Sequence, residues 1–254
     1  MFFLYSYIYI GGVIIYININ DINIHYEVSG KGQNLLLLHG WGANLHTFDN
    51  LVKELSINFK VYVLDLPGFG DSLIGLPLSV EEVSDILNEF VLELNIIKPI
   101  IIGHSYGTRI AVIYASKYEV DKLILVSATG LKERLNNKKR FKVKVYKFFK
   151  RFNIKLNIGS KDYRDSDNVK KEMLVITVNQ DLKEYMNRIN IPTLLIYGKD
   201  DMITKVELGY RIRSEIKCSS MIVLDECGHF PYLDRPNYFL LVLNSFLLGD
   251  IDAY

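Results

Sequence analysis

Short, nearly continuous runs of aliphatic and β-branched residues recur along this chain, and stretches with helical periodicity separate them. The runs are Leu35–His39, Val61–Asp65, Pro99–Gly103, Lys122–Ser127, Thr193–Tyr197 and Met221–Asp225. An apolar run without polar alternation suits a strand covered on both faces. Segments near Asn44–Leu55, Val80–Leu94, Ser105–Ser116, Lys205–Ile216 and Asn237–Leu248 read as helices. Alternating strands and helices imply an α/β fold: a mainly parallel sheet with helices on both faces. Val13–Ile19 and Ile22–Val28 flank Asn20-Asp21 and predict an antiparallel hairpin before that sheet.

One interval breaks the rhythm. Between about Leu131 and Asn190 no good core strand is found. Phe141, Val145, Phe148 and Phe152 fall at helical spacing, with Lys139, Lys142, Lys147 and Lys150 around them, and a second helical stretch runs from about Asn168 to Arg188. This reads as a helical cap over the C-terminal edge of the sheet, where open α/β sheets bind ligands. The expected organisation is a core of residues 1–130 and 191–254, interrupted by a cap at 131–190.

Charge is uneven. The 254 residues carry a net +1, which gives no bulk drive toward nucleic acid. Yet Lys132 to Lys155 holds 11 basic residues against one acid, Glu133, so a +10 segment sits in a chain otherwise at −9. Such a basic amphipathic stretch suits an anionic membrane surface or an acidic carrier protein, and a plain solvated lysine face is the simpler reading. Cys218 and Cys227 have no metal-ligand spacing and read as reduced thiols. Residues 1–12 form an apolar extension. The first charged residue is Asp21, and Met1 to Ile17 is marginal against the ~20 apolar residues of a membrane span. The expected setting is cytoplasmic; the alternative is peripheral or N-terminally anchored membrane association.

The chemistry concentrates after strands. Gly103-His104-Ser105-Tyr106-Gly107 follows a strand and opens a helix. A sharp turn there lifts a hydroxyl clear of the backbone, glycines permit the crowding, and the helix N-terminus favours developing negative charge. His39-Gly40-Trp41-Gly42 follows another strand, so the Trp41 and Tyr106 N–H groups can form a two-donor oxyanion hole. His39 reads as a scaffold residue. Gly198-Lys199-Asp200-Asp201 and Gly228-His229-Phe230 each follow later strands. The order Ser105, Asp, His229 then gives a nucleophile, an orienting acid and a general base. Asp200 and Asp201 both remain open for the acid, with Asp225 more distant. Asp65 to Ser72 is a turn-rich loop with no Walker-type lysine, and only shapes the sheet edge.

Together these motifs resemble the α/β-hydrolase superfamily from about Val13 onward. They are His39–Gly42, Asp65–Ser72, Gly103–Gly107, Ile191-Pro192-Thr193 leading to Gly198–Asp201, and Gly228-His229-Phe230 with Asp234 and Pro236 behind. The resemblance implies a mostly parallel eight-stranded sheet with a helical cap between the sixth and seventh strands. It also implies that the acid stands three residues after the glycine, which selects Asp201. His-Gly-Trp-Gly and Asp-Leu-Pro-Gly-Phe-Gly are similar to carboxylesterases of the carrier-protein methyl ester type. Ser105 argues against relatives that use an aspartate nucleophile. Thr108 stands where many relatives have a third glycine.

The expected function is serine hydrolysis of a small carboxylic ester with an apolar acyl part, lined by Trp41, Tyr106 and Phe230. No metal or organic cofactor is required. The alternatives are carbon–carbon hydrolysis of the meta-cleavage-product type, and a catalytically silent binding module on the same fold.

Overall fold

The structure, a computed structural model, describes residues 6–9, 12–132 and 167–249. Its strands are β1 (Ser6–Tyr9), β2 (Gly12–Ile19), β3 (Ile22–Ser29), β4 (Gln33–Leu38), β5 (Phe59–Leu64), β6 (Ile100–His104), β7 (Leu123–Val126), β8 (Thr193–Gly198) and β9 (Ser219–Leu224). The described helices are α1 (Asp49–Leu55), α2 (Val80–Glu93), α3 (Tyr106–Lys117), α4 (Asn168–Asn179), α5 (Lys183–Met186), α6 (Val206–Glu215), α7 (Pro231–Asp234) and α8 (Pro236–Leu248).

One sheet runs in the order β1-β2-β3-β5-β4-β6-β7-β8-β9. Pairing from β5 onward is parallel, and β1, β2 and β3 add antiparallel strands at one edge. The eight expected strands are present. Ser6–Tyr9 adds a ninth, in register with Gly12–Ile15, so part of the apolar extension pairs as an edge strand. Asn20 and Asp21 both take positive φ, at 50° and 64°, and join Ile19 to Ile22 as a two-residue hairpin turn.

The continuous apolar runs conceal a period of two. Leu36, Leu38, Ile101, Leu123, Leu125 and Leu195 face a core shared with Val83, Phe90, Ile110 and Ile212 of α2, α3 and α6. Leu35, Leu37, Ile100, Ile102, Ile124 and Ile196 face the other core, with Phe48, Leu51, Phe239 and Phe246. Both faces are therefore covered, and polar alternation has no place in these strands. Helix α2 starts where Ser79 and Glu82 form a capping box, the Ser79 Oγ accepting from Glu82 N and Glu82 Oε2 from Ser79 N.

Two expectations shift in detail. The stretch Asn44–Leu55 divides into a 3-10 turn at Leu45–Phe48 and then α1. Asn168–Arg188 breaks after Asn179, and only Lys183–Met186 resumes as helix. Both pieces lie between β7 and β8 in the chain. The basic stretch Phe141–Phe152 lies outside the described residues.

The Asp65–Ser72 loop does more than shape an edge. Buried Asp65 accepts from His25 Nδ1, Leu45 N and Asp71 N, each at 2.8 Å, and Ser72 Oγ accepts from His25 N at 2.9 Å. His25, inside the expected strand Ile22–Val28, is half of a buried ion pair joining β3 to the end of β5. The Asp65 hydrogen bond raises the His25 pKa against the opposing effect of burial. Burial alone would raise the Asp65 carboxyl, but His25 and the two backbone N–H groups hold it below its ordinary value.

The pH dependence follows from these directions. The His25 contribution is full below the ordinary imidazole range and is lost as pH rises through its raised pKa. The Asp65 contribution is full above the ordinary carboxyl range and is lost as pH falls through its lowered pKa. Asp65→Ala is expected to cost about 3–5 kcal/mol, as breaking a buried pair does. Urea titrations from pH 3 to 9 should show that cost largest between the two transitions. A cost below 1 kcal/mol at pH 6 would mean the pair does not hold the loop.

Candidate active site

Ser105 sits between the end of β6 and the start of α3, with φ 50° and ψ −108°. A serine in this sparsely populated region stores strain that its surroundings must hold. Two glycines make the turn possible. A Cβ on Gly107 would lie 2.2 Å from the Leu38 carbonyl oxygen, and one on Gly103 would lie 2.8 Å from the Gly107 carbonyl. The first turn of α3 therefore rests directly on β4 and β6. Thr108 completes the support. Its hydroxyl donates to Ser105 O at 2.5 Å and accepts from Thr129 N at 3.1 Å. The residue that departs from the usual glycine thus ties the turn to the segment after β7.

Asp201 follows β8 and His229 follows β9. Their side chains meet, with His229 Nδ1 2.8 Å from Asp201 Oδ2. Asp201 is buried, whereas its neighbour Asp200 is exposed. Ile203 N and Thr204 N donate to Asp201 Oδ1 at 2.7 and 2.8 Å, and the Thr204 hydroxyl donates to Oδ2 at 2.5 Å. Burial opposes ionisation of Asp201. The hydrogen bonds from His229 and Thr204 outweigh it and hold the carboxyl far below its ordinary range. Thr204 also lies 3.3 Å from His229 Nδ1. It was not singled out in the sequence, because a threonine three residues past an acid carries no distinctive signal.

His104, the residue before Ser105, contacts His229. His104 Nε2 donates to the His229 carbonyl at 2.8 Å, and the two rings lie 4.9 Å apart. Ser127 Oγ donates to the same carbonyl at 3.1 Å. Among the described residues no hydrogen bond joins the Ser105 hydroxyl to His229, a looseness common before substrate binds. Burial and the nearby His229 push His104 down to about 3, so it is a neutral spacer. His39 is also neutral and buried. Its Nδ1 donates to Gly40 O at 2.8 Å and its Nε2 accepts from Leu66 N at 3.0 Å, which matches its scaffold reading.

Trp41 is half-buried, with its ring 5.2 Å from that of Tyr106 and 4.9 Å from that of Phe69. Tyr106 is the first residue of α3, so its N–H has no acceptor within the helix. Phe230 packs 4.7 Å from His104 and 5.2 Å from His229. The only grouping of potential metal ligands among the described residues is His25, Asp65 and Asp71. Its central carboxylate is already engaged by His25 and two backbone N–H groups.

Comparison with known proteins agrees with this fold. Residues 33–154 and 171–236 match the family described as alpha/beta hydrolase fold. The chain belongs to the α/β-hydrolase family. It is 28% identical over 256 residues to the pimeloyl-[acyl-carrier protein] methyl ester esterase of Wigglesworthia glossinidia brevipalpis, covering 87% of this chain and 96% of that protein. The enzyme of the same name from Nitrosospira multiformis is 28% identical over 258 residues, with the same coverage of both chains. Among solved structures, the esterase from Exiguobacterium antarcticum superposes with a TM-score of 0.74 at 23% identity, covering 91% of this chain and 98% of that one. That likeness speaks for the fold.

The support beneath Ser105 leads to a direct expectation. Gly107→Ala must push α3 off β4, because the new methyl meets a backbone oxygen. A loss of roughly 3 kcal/mol, the upper end of overpacking costs, is expected in chemical denaturation. A variant as stable as the wild type would show that α3 does not rest on β4 as described.

Proposed function

We propose that this hydrolase cleaves carboxylic esters through an acyl-enzyme on Ser105. The observation that carries the reading is the Asp201–His229 pair, beside a serine on a strained strand-to-helix turn. The relatives' names as methyl ester esterases support the ester class.

The chemistry follows from the groups present. His229 Nε2 takes the Ser105 proton as Oγ attacks the ester carbonyl. Ionised Asp201 holds the Nδ1–H tautomer and stabilises the imidazolium that forms. The Trp41 and Tyr106 N–H groups receive the negative oxygen of the tetrahedral intermediate. His229 returns the proton to the departing alcohol. Water, deprotonated by the same imidazole, then attacks the acyl-enzyme and releases the acid and the free serine. Trp41, Tyr106 and Phe230 line the ester on its apolar side.

Residues 131–190 act in this reading as a cap over a core of residues 1–130 and 191–254. An acyl carrier protein is the partner that best fits both the relatives' names and the +10 segment from Lys132 to Lys155. An acidic partner is recognised by charge complementarity and is steered by it. No helix among the described residues is long and apolar enough to cross a membrane.

Three substitutions test the mechanism. Ser105→Ala should abolish hydrolysis of p-nitrophenyl esters and labelling by a fluorophosphonate, with an unchanged melting curve. Asp201→Asn should lower kcat by about 10⁴, as the wrong histidine tautomer does in serine proteases. Asp200→Asn should stay close to wild type. Substantial turnover by Ser105→Ala would rule out the serine mechanism, and a reversed ranking of the two aspartates would move the acid to Asp200. A carbon–carbon diketone substrate run beside the esters distinguishes the other serine-triad reaction.

A further inference from the structure

The loop after β8 turns two polar residues inward and two large apolar ones outward. Asp201 and Thr204 are each 4% exposed, whereas Met202 and Ile203 between them are 82% and 71% exposed. Apolar burial alone would favour the opposite arrangement. Hydrogen bonds to the Asp201 carboxylate hold the loop this way round. Oδ1 accepts from Ile203 N and Thr204 N, and Oδ2 accepts from the Thr204 hydroxyl and His229 Nδ1. Each oxygen therefore carries two donors, and the loop itself supplies all of them except His229.

The hydroxyl is the unusual member of this set. It has one proton to donate and lone pairs with which to accept. Its proton is committed to Asp201 Oδ2 at 2.5 Å, which leaves its lone pairs for His229 Nδ1 at 3.3 Å. The Nδ1–H thus has a near acceptor in Oδ2, at 2.8 Å, and a far one in Thr204 Oγ1. Asp65, the other aspartate that faces a histidine, accepts from His25 and two backbone N–H groups, and from no hydroxyl among the described residues. Backbone donors are therefore common to both pairs, and the hydroxyl belongs to one of them.

We infer that Thr204 is a positioning residue for proton transfer: its hydroxyl fixes the Asp201 oxygen that faces His229 and limits how strongly that oxygen holds the imidazole proton. The inference rests on the serine-esterase reading and deepens it. A carboxylate oxygen that already accepts one strong bond has less charge left for a second donor, and burial magnifies the difference. With the hydroxyl in place, Asp201 orients the imidazole without over-stabilising the imidazolium, which must give its proton to the departing alcohol. Without it, more of the carboxylate charge falls on Nδ1–H, and the ring loses the second acceptor that restrains its rotation. The titratable groups against His229 are Asp201 from the loop after β8 and His104 from β6. His104, pushed down to about 3 by burial and by His229, is neutral at working pH. Tyr197, on which the Asp201 charge also acts, stays protonated because burial raises its pKa. The acid limb of kcat/KM therefore reports the imidazole in the field of Asp201.

Two substitutions separate the hydroxyl from the rest of the side chain. Thr204→Val keeps the shape and removes the hydroxyl, whereas Thr204→Ser keeps the hydroxyl and removes the methyl. With p-nitrophenyl esters, Thr204→Val is expected to lower kcat about tenfold and to leave KM within about twofold, because misplaced reacting groups slow the chemical step. The acid limb of its kcat/KM profile should move to higher pH by about half a unit, roughly threefold in the proton equilibrium, since the imidazolium gains the charge that the hydroxyl had drawn off. Thr204→Ser should return both quantities close to wild type. Wild-type kcat with an unmoved limb in Thr204→Val would overturn the inference. A Thr204→Ser variant as impaired as Thr204→Val would also overturn it, because the methyl would then be the part that matters. If Thr204→Val does not fold, Thr204→Ala set against Thr204→Ser makes the same comparison. Proton NMR of the His229 Nδ1–H gives a readout independent of turnover. Loss of the competing donor should move that resonance downfield, and an unchanged resonance would count against Thr204. A wild type that hydrolyses no ester would end the esterase reading, while the NMR comparison would still decide whether the hydroxyl acts on the Asp201–His229 pair.

Discussion

Helix α3 can begin at Ser105 only because its first turn lies against the backbones of β4 and β6. Gly103 and Gly107 make that approach possible, since a methyl at either would strike a backbone atom. The consequence reaches beyond the serine. The same approach seats His104 against His229, Phe230 and Tyr232, with ring separations of 4.9, 4.7 and 5.3 Å. His104 then holds the His229 carbonyl. The position of the proposed general base is thus set from the nucleophile's own turn, in addition to the loop that carries it.

Electrostatics divides the histidines by partner. His39 and His104 are buried without a carboxylate, and burial keeps both neutral. They serve as shaped, polar spacers: both His39 nitrogens and His104 Nε2 meet backbone groups, whereas His104 Nδ1 has no hydrogen-bond partner. His25 and His229 each face a buried aspartate at the same 2.8 Å. In both pairs two backbone N–H groups also donate to the carboxylate, which keeps it ionised despite its burial.

Much of this was legible in the sequence because the relevant physics is local. Apolar runs identified the parallel strands to within one or two residues, and glycines after strand ends marked the turns that present Ser105, Asp201 and His229. Three features were not legible, each because it joins distant segments. Thr204 matters only once β8 and β9 lie side by side. The His25–Asp65 pair depends on β3 and β5 being neighbours, which the chain order does not declare. Arg109 looks like an ordinary helix residue until α4 brings its carbonyls within reach. The break after Asn179 has a related cause. Arg109 donates to the end carbonyls of α4, and Leu182 N donates to Gly130 O at 2.8 Å, so the chain turns toward the core there.

The two Asp–His pairs also contrast a fold-holding pair with the one proposed to be catalytic. Distance, burial and backbone support are nearly the same in both, so none of them makes the distinction. The difference lies in the surroundings of the imidazole. His25 belongs to β3, where its own backbone N–H is engaged by Ser72 and its ring packs 5.3 Å from that of Tyr16. Its aspartate accepts from Leu45 N at the start of the 3-10 turn, and the Ser72 hydroxyl accepts from the His25 backbone N–H, so the groups around it are already paired with one another. His229 stands at the C-terminal edge of the sheet, its backbone held by His104 and Ser127, with the free N–H groups at the start of α3 nearby. Under the proposed mechanism a charge that forms there meets the N–H donors at the start of α3, whereas one at His25 would only strengthen an ion pair that is complete. The same carboxylate–imidazole unit therefore stabilises in one place and, under the proposed mechanism, moves a proton in the other.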